Sequence, residues 1–104
     1  MKIEYSPIAI RDLDRVWAEV FEASASMELA TKYIDDLMDQ VDAKRDFPNS
    51  GSPLYYEDMF TGFYFIVFKS YLAFYKVEGD RMLLSRVVYG KSDYMRTLFR
   101  NAHK

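Results

Sequence analysis

Four residues near the C-terminal end carry ionisable side chains: Arg86, Lys91, Asp93 and Tyr94. A guanidinium and an ammonium can stabilise negative charge, and a carboxylate or a phenol can move a proton. Each group also has a simpler structural role. Arg86 would pair with Asp93 or with a helix acid, Asp93 would cap the last helix, and Tyr94 would pack in the core. The residue types alone leave both interpretations open.

Metal and thiol chemistry is not expected from this composition. The chain has no cysteine and a single histidine, His103, next to its C-terminus. A thiolate site and a multi-histidine metal site are therefore excluded. The acidic series between Asp35 and Asp42 lacks the central glycine of a calcium loop. We expect neither a metal nor a cofactor.

Charge is distributed unevenly along the chain, although the formal net charge is only −2. Residues 1–60 carry 6 Lys/Arg against 13 Asp/Glu, whereas residues 61–104 carry 8 against 3. Such asymmetry is typical of a protein whose basic face meets an acidic partner, but solvated acidic helices beside basic strand edges also produce it. The overall acidity fits poorly with RNA binding, which depends on phosphate neutralisation.

The elements that must position these residues begin with a strand and two helices. Residues 2–6 alternate polar and apolar side chains, which predicts a short strand. Ser6 and Pro7 are typical of a helix start, and the apolar stripe of this helix fades near residues 22–24. A second amphipathic helix is predicted from about Met27 to Asp46, ending before Phe47-Pro48. The short link between the two helices predicts an antiparallel helical hairpin.

The second half of the chain predicts a strand meander. Residues 49–53 form a loop, and residues 54–62 form a connection with aromatic anchors. Residues 63–90 are rich in Phe, Tyr, Val, Ile and Leu and read as three antiparallel strands. Residues 92–101 are predicted to form a short last helix. Two turns divide the meander, at Lys69-Ser70 and at Glu78-Gly79-Asp80.

The predicted order β-α-α-β-β-β-α indicates a single α+β domain over residues 1–104. It has two layers, an antiparallel sheet covered on one face by the helical hairpin. In the first meander strand, Phe63 and Phe65 point to one face while Tyr64, Ile66 and Phe68 point to the other. Since the hairpin covers only one face, the second needs another cover. We expect the last helix to supply part of it and a partner segment to supply the rest.

Four stretches of this sequence resemble the RelE/ParE superfamily of bacterial toxins. They are IEYSPIAIRDLDRVW at the start, FPNSGSPL after the helices, SYLAFYKVEGD in the meander and RVVYGKSDYMRTLF at the end. The resemblance covers essentially the whole chain in this order. It implies the toxin of a type II toxin–antitoxin pair, bound by a cognate antitoxin. RelE-like members cut messenger RNA in the ribosomal A site, and ParE-like members poison DNA gyrase.

The sequence departs from the RelE-like nucleases at their basic residues. Two cations of the first meander strand align near Phe65 and Val67, an arginine of the second strand aligns with Leu72, and an arginine of the turn aligns with Ser92. All four positions are uncharged here. Metal-free RNA cleavage needs cations around the phosphate. The candidate residues that remain are few for this chemistry: Arg86, Lys91, Asp93 and Tyr94.

The departures favour a ParE-like or otherwise non-nucleolytic toxin, with DNA gyrase or the ribosome as its target. The alternatives are a ribosome-dependent endoribonuclease that uses the four residues above, and a non-toxic domain that retains antitoxin binding. The run Met59 to Phe68 is too short to span a bilayer, and the N-terminus lacks the apolar segment of a signal peptide. We therefore expect a cytoplasmic protein without a membrane partner. The expected antitoxin-binding residues are Tyr64, Phe68, Lys69, Tyr71, Tyr75 and Lys91.

Overall fold

The structure, a computed structural model, describes residues 1–99. The helices and strands within this range follow an order close to the predicted one. They are β1 (Lys2–Tyr5), α1 (Pro7–Ser24), α2 (Met27–Asp42), β2 (Ser52–Tyr56), β3 (Met59–Phe68), β4 (Tyr71–Glu78), β5 (Arg81–Tyr89) and α3 (Tyr94–Phe99). The predicted α+β class is confirmed. The predicted end of the last helix and His103 lie outside the described residues.

All five strands belong to one sheet, in the order β1-β5-β4-β3-β2. The meander β3-β4-β5 is antiparallel, as predicted. At one edge the sheet differs from the prediction, because β1 lies parallel to β5 with Lys2 opposite Arg81 and Tyr5 opposite Leu84. The long connection through α1 and α2 permits this parallel return. The sheet is therefore mixed rather than wholly antiparallel.

β2 is an additional strand within the segment predicted to be a connection. It pairs antiparallel with β3 and has an irregular register between Pro53 and Tyr55. Pro53 weakens the sequence signal for a strand. The turn residues Glu57 and Asp58 also hide the hairpin, because both adopt left-handed backbone with φ of 48° and 69°, where Asn-Gly is usual. α2 ends at Asp42, four residues before its predicted end.

The helical hairpin of α1 and α2 packs on one face of the sheet, which we call the inner face. Side-chain caps start both helices: Ser6 Oγ accepts from Ala9 N at 3.0 Å, and Ser26 Oγ accepts from Leu29 N at 3.1 Å. Trp17 Nε1 donates to Thr31 Oγ1 at 3.1 Å and links the helices. The buried core between the layers includes Ala9, Val16, Leu37, Val41, Ile66, Phe68, Tyr71, Ala73, Tyr75, Met82, Leu84 and Val87.

The opposite, outer face of the sheet holds a second apolar cluster. Its buried members are Leu54, Phe63, Leu72, Phe74 and Val88. α3 crosses this face, with the Tyr94 ring 5.5 Å from that of Phe74 and the Phe99 ring 5.8 Å from that of Phe63. The prediction that the last helix covers part of the second face agrees with this packing.

Candidate functional site

Arg86 lies just beyond a bulge in β5, and this bulge determines the face of the sheet on which its side chain lies. Phe74 pairs with Arg86 but Tyr75 pairs with Leu84, so Ser85 is an extra residue in β5. A bulge of this kind reverses the alternation of side chains along a strand. Arg86 therefore shares the outer face with Phe74. Simple alternation along β5 would place it on the inner face with Leu84.

The guanidinium of Arg86 binds Asp12 of α1. Arg86 Nε lies 2.8 Å from Asp12 Oδ2, and Nη2 lies 3.3 Å from Oδ1. Asp12 also accepts from Arg15 Nη1 at 2.9 Å and from the backbone N–H of Val87 at 2.9 Å. Its side chain is only 2% exposed. Four hydrogen bonds therefore satisfy a buried carboxylate, and two of them come from Arg86.

Beyond the end of β1, side chains of Asp12 and of nearby residues bind the backbone groups at the edge of β5. β1 pairs only as far as Leu84, so the next backbone groups of β5 need other partners. Ser6 Oγ donates to the carbonyl of Ser85 at 2.8 Å, and Arg15 Nη2 donates to the carbonyl of Val87 at 2.9 Å. Together with the Val87–Asp12 bond, these contacts attach α1 to the sheet.

The same network extends to the core through Glu19. The hydroxyl of Tyr71 donates to Glu19 Oε1 at 2.9 Å, and Arg15 Nε lies 4.0 Å from the same oxygen. Burial, with the Glu19 hydrogen bond as the second cause, raises the pKa of Tyr71 from 10.0 to about 12. Arg86 thus belongs to a structural ion-pair network, the simpler of its two predicted roles. Its partner is the helix acid Asp12 rather than Asp93.

The other three candidate catalytic residues are engaged separately. Lys91 is exposed in the turn after β5. Asp93 accepts from the Arg96 backbone N–H at 3.3 Å, in agreement with the predicted cap, while Tyr94 is half-buried against Phe74. Within residues 1–99, no hydrogen bond or ion pair joins Arg86 to any of these three. The four residues therefore do not form a connected catalytic group.

The packing corrects half of the expected antitoxin-binding residues. Phe68 and Tyr71 are each 8% exposed and Tyr75 is 0% exposed. They lie on the inner face, which α1 and α2 cover, so they cannot also form an open binding surface. The strand alternation was read correctly, but the hairpin covers the face that had been assigned to the partner.

The remaining expected binding residues keep some surface. Tyr64 is half-buried, with its ring stacked 5.5 Å from that of Tyr75. Lys69 is exposed, and its ammonium lies 5.1 Å from the centre of the Tyr33 ring. Lys91 is exposed as well. Antitoxin binding by these three stays a prediction.

An apolar groove on the outer side of the molecule was not predicted. It has a volume of about 390 Å³ and lies between the β2–β3 hairpin and α3. We call it the hairpin groove; its lining is Tyr56, Met59, Phe60, Thr61, Met95, Arg96 and Phe99. The available signal was a cluster of large apolar residues on both sides of the Glu57-Asp58 turn, which the interpretation as a loop concealed.

The comparisons with known proteins agree with this architecture. The fold and the matched sequence are those of the RelE/ParE superfamily of toxins. More narrowly, residues 3–94 match the family described as the ParE toxin of the type II toxin-antitoxin system parDE, and the chain belongs to this family. No curated protein matches the sequence.

A solved structure supports the fold independently. A chain of the chromosomal ParDE toxin–antitoxin system from P. aeruginosa superimposes with a TM-score of 0.70 at 21% sequence identity. The match covers 86% of this chain and 95% of the P. aeruginosa chain. In residues 1–99, no helix is long and apolar enough to cross a membrane.

Proposed function

We propose that this protein is the growth-inhibiting toxin of a type II pair, acts in the cytoplasm and is neutralised by a cognate antitoxin. We further propose that it acts by binding a protein target, as ParE-like toxins do, rather than by cutting RNA. Membership of the ParE toxin family supports the first proposal. DNA gyrase is the target that this family suggests.

The observation that carries the non-nucleolytic mode is the Arg86–Asp12 pair. A cation that stabilises a phosphate in a transition state must be free to approach the phosphate oxygens. The Arg86 side chain is 22% exposed and is held by both oxygens of Asp12. Moving it to a substrate would leave a carboxylate that is 2% exposed without its main partner, which is costly. Lys91 alone does not replace such a cluster.

Induced expression tests whether the protein is a toxin. We expect growth arrest when the chain is produced alone, and normal growth when the product of the adjacent reading frame is produced with it. Continued growth without the second protein would instead support a non-toxic antitoxin-binding domain.

The mode of action requires two purified assays in parallel. We expect inhibition of DNA gyrase supercoiling and intact messenger RNA in a ribosome A-site cleavage assay. Arg86→Ala is a poor control because it disrupts the bonds to Asp12, so Lys91→Ala and Tyr94→Phe are better variants. RNA cleavage that these two variants abolish would refute the protein-binding mode.

A further inference from the structure

Apolar side chains form a strip on the outside of the helical hairpin, where α1 meets α2. Ile10, Trp17 and Phe21 recur at spacings of seven and four residues, so they lie on one side of α1. Met27 and Thr31 are four residues apart on α2 and share a side of that helix. Trp17 Nε1 donates to Thr31 Oγ1 at 3.1 Å, and the Trp17 ring stacks on that of Phe21 at 5.4 Å. We call these five residues the helical seam.

The helical seam is largely open to solvent. Ile10, Phe21 and Met27 are 51%, 39% and 64% exposed, and Trp17 is half-buried. The core takes other residues of α1, such as the fully buried Val16. Tryptophan, phenylalanine and methionine are enriched at the centres of protein interfaces. An exposed strip of these types that the core does not use is typical of a binding surface.

Contacts within the fold hold the seam in place before a partner binds. α1 is attached to β5 through Asp12, whose carboxylate accepts from the Val87 N–H at 2.9 Å. The bond between Trp17 and Thr31 joins the two helices, and Ser26 caps the start of α2. A surface fixed in this way loses little conformational entropy on binding.

The helical layer carries a surplus of negative charge that its own cations do not neutralise. Residues 7–46 contain five Lys/Arg against ten Asp/Glu. Three of the cations already pair with an acid three or four residues away: Arg15 with Asp12 at 2.9 Å, Lys32 with Asp36 at 2.8 Å and Arg45 with Asp42 at 2.6 Å. Arg11 and Lys44 are the other two. Within residues 1–99, five exposed acids of α1 and α2 make no ion pair: Asp14, Glu22, Glu28, Asp35 and Asp39.

A depression beside Met27 brings this charge next to the apolar strip. Its volume is about 580 Å³, and its lining is Met27, Glu28, Thr31, Lys32, Asp35 and Asp36. Because Lys32 is held by Asp36, the charges of Glu28 and Asp35 stay available to a partner. A long basic side chain fits this site, with its carbon chain on Met27 and its charged end beside Glu28 or Asp35.

The charge of the helical layer indicates which kind of partner suits the seam. Nucleic acid would be repelled. A second copy that used the same surface would bring acidic helices against acidic helices, because a twofold interface is self-complementary. A protein surface with basic side chains around an apolar centre is complementary instead. Proteins that act on nucleic acid carry basic surfaces, and DNA gyrase and the ribosome both act on nucleic acid.

We propose that the helical seam is the surface through which the toxin binds its protein target, and this proposal rests on the proposed function above. The target packs apolar side chains on Trp17 and Phe21 and places a lysine or arginine in the depression beside Met27. No residue of the seam is among the expected antitoxin-binding residues. A substitution in the seam is therefore expected to weaken target binding and leave antitoxin binding unchanged.

Two matched substitutions on α2 test the apolar part of the seam. Met27→Lys places a cation in the seam, whereas Leu29→Lys makes a comparable change at a 54% exposed position, about 200° around the same helix. Calorimetry measures the dissociation constant of each purified variant for DNA gyrase, and growth is followed after induced expression without antitoxin. We expect Met27→Lys to weaken gyrase binding by about tenfold or more and to relieve growth arrest. Leu29→Lys should stay within about twofold of the unchanged protein.

Two charge reversals test whether the partner is basic. Asp35→Lys replaces an unpaired acid beside the seam, and Asp80→Lys makes the same change at an exposed position in the turn between β4 and β5. Asp35→Lys is expected to weaken gyrase binding about fivefold at low salt and less at high salt, because salt screens the lost attraction. Asp80→Lys should leave the dissociation constant unchanged. Urea unfolding midpoints equal to that of the unchanged protein show that the variants remain folded.

The outcomes separate the seam from the proposed function. Unchanged gyrase affinity and growth arrest in Met27→Lys and Asp35→Lys overturn the seam proposal and leave the toxin intact. If the unchanged protein causes no growth arrest, both proposals are wrong. If it arrests growth without binding gyrase, gyrase is the wrong target, and relief of the arrest by Met27→Lys but not by Leu29→Lys still supports the seam. If Met27→Lys stays toxic but loses affinity for the product of the adjacent reading frame, the seam binds the antitoxin and the proposal is wrong.

Discussion

Asp12→Asn is the substitution that best separates a structural Arg86 from a catalytic one. The change keeps the size of the side chain and retains an oxygen that can accept from the Val87 N–H. It removes the negative charge, however, and its NH₂ group cannot accept from Arg15 or Arg86. Two guanidinium groups then lose a carboxylate that is 2% exposed.

The expected loss in the free energy of unfolding depends on how exposed the two arginine partners of Asp12 are. Removing one partner of a fully buried ion pair costs about 3–5 kcal/mol. The Arg86 and Arg15 side chains are 22% and 46% exposed, so water recovers part of this energy. We therefore expect Asp12→Asn to lower the free energy of unfolding by about 2–3 kcal/mol. For a domain of this size, the melting temperature would fall by about 10–20 °C.

Urea unfolding followed by circular dichroism measures this change, and Asp14→Asn is the control because Asp14 is exposed on the same helix. The control should lose less than about 0.5 kcal/mol. In a double-mutant cycle, Asp12→Asn and Arg86→Met should show a coupling energy of about 1–2 kcal/mol. If Asp12→Asn is as stable as Asp14→Asn, the network does not hold Arg86, and the argument against a nuclease loses its basis.

Three further substitutions test the packing around the sheet. Because the pKa of Tyr71 is raised to about 12, its protonated form stabilises the fold fully below pH 10, and this contribution is lost between pH 10 and 12. Tyr71→Phe should therefore lose less stability than the unchanged protein over that interval; parallel pH curves would contradict this. Gly51→Ala should cost about 1–3 kcal/mol in urea unfolding, because its Cβ would lie 2.3 Å from the Tyr75 hydroxyl; Ser52→Ala is the control, and an equal midpoint would refute the clash. Ser6→Ala should cost about 1 kcal/mol in the same assay through loss of the α1 cap, and no loss would show that the Ser6 bonds contribute little.

Local patterns in the sequence were sufficient to predict most of the fold. Ser6-Pro7 marks the start of α1 in both the sequence and the structure, and the alternation of β3 separates its two faces correctly. The assignment of faces failed because alternation shows which residues lie together but not which set the helices cover. Only the tertiary packing of α1 and α2 decides that Tyr75 and its neighbours are buried.

The sequence could not show which face of β5 Arg86 lies on or that its partner is Asp12, and the reason is local. Its face depends on the extra residue Ser85, and nothing in the run MLLSRVVY identifies a bulge there. Without the bulge, Arg86 would enter the inner core. With it, the side chain starts on the outer face and its guanidinium reaches Asp12, where α1 meets the open edge of β5. The bulge thus places Arg86, the best candidate for a catalytic cation, in an ion pair that stabilises the fold. Any toxic activity must then depend on surfaces that remain exposed, and the helical seam is such a surface.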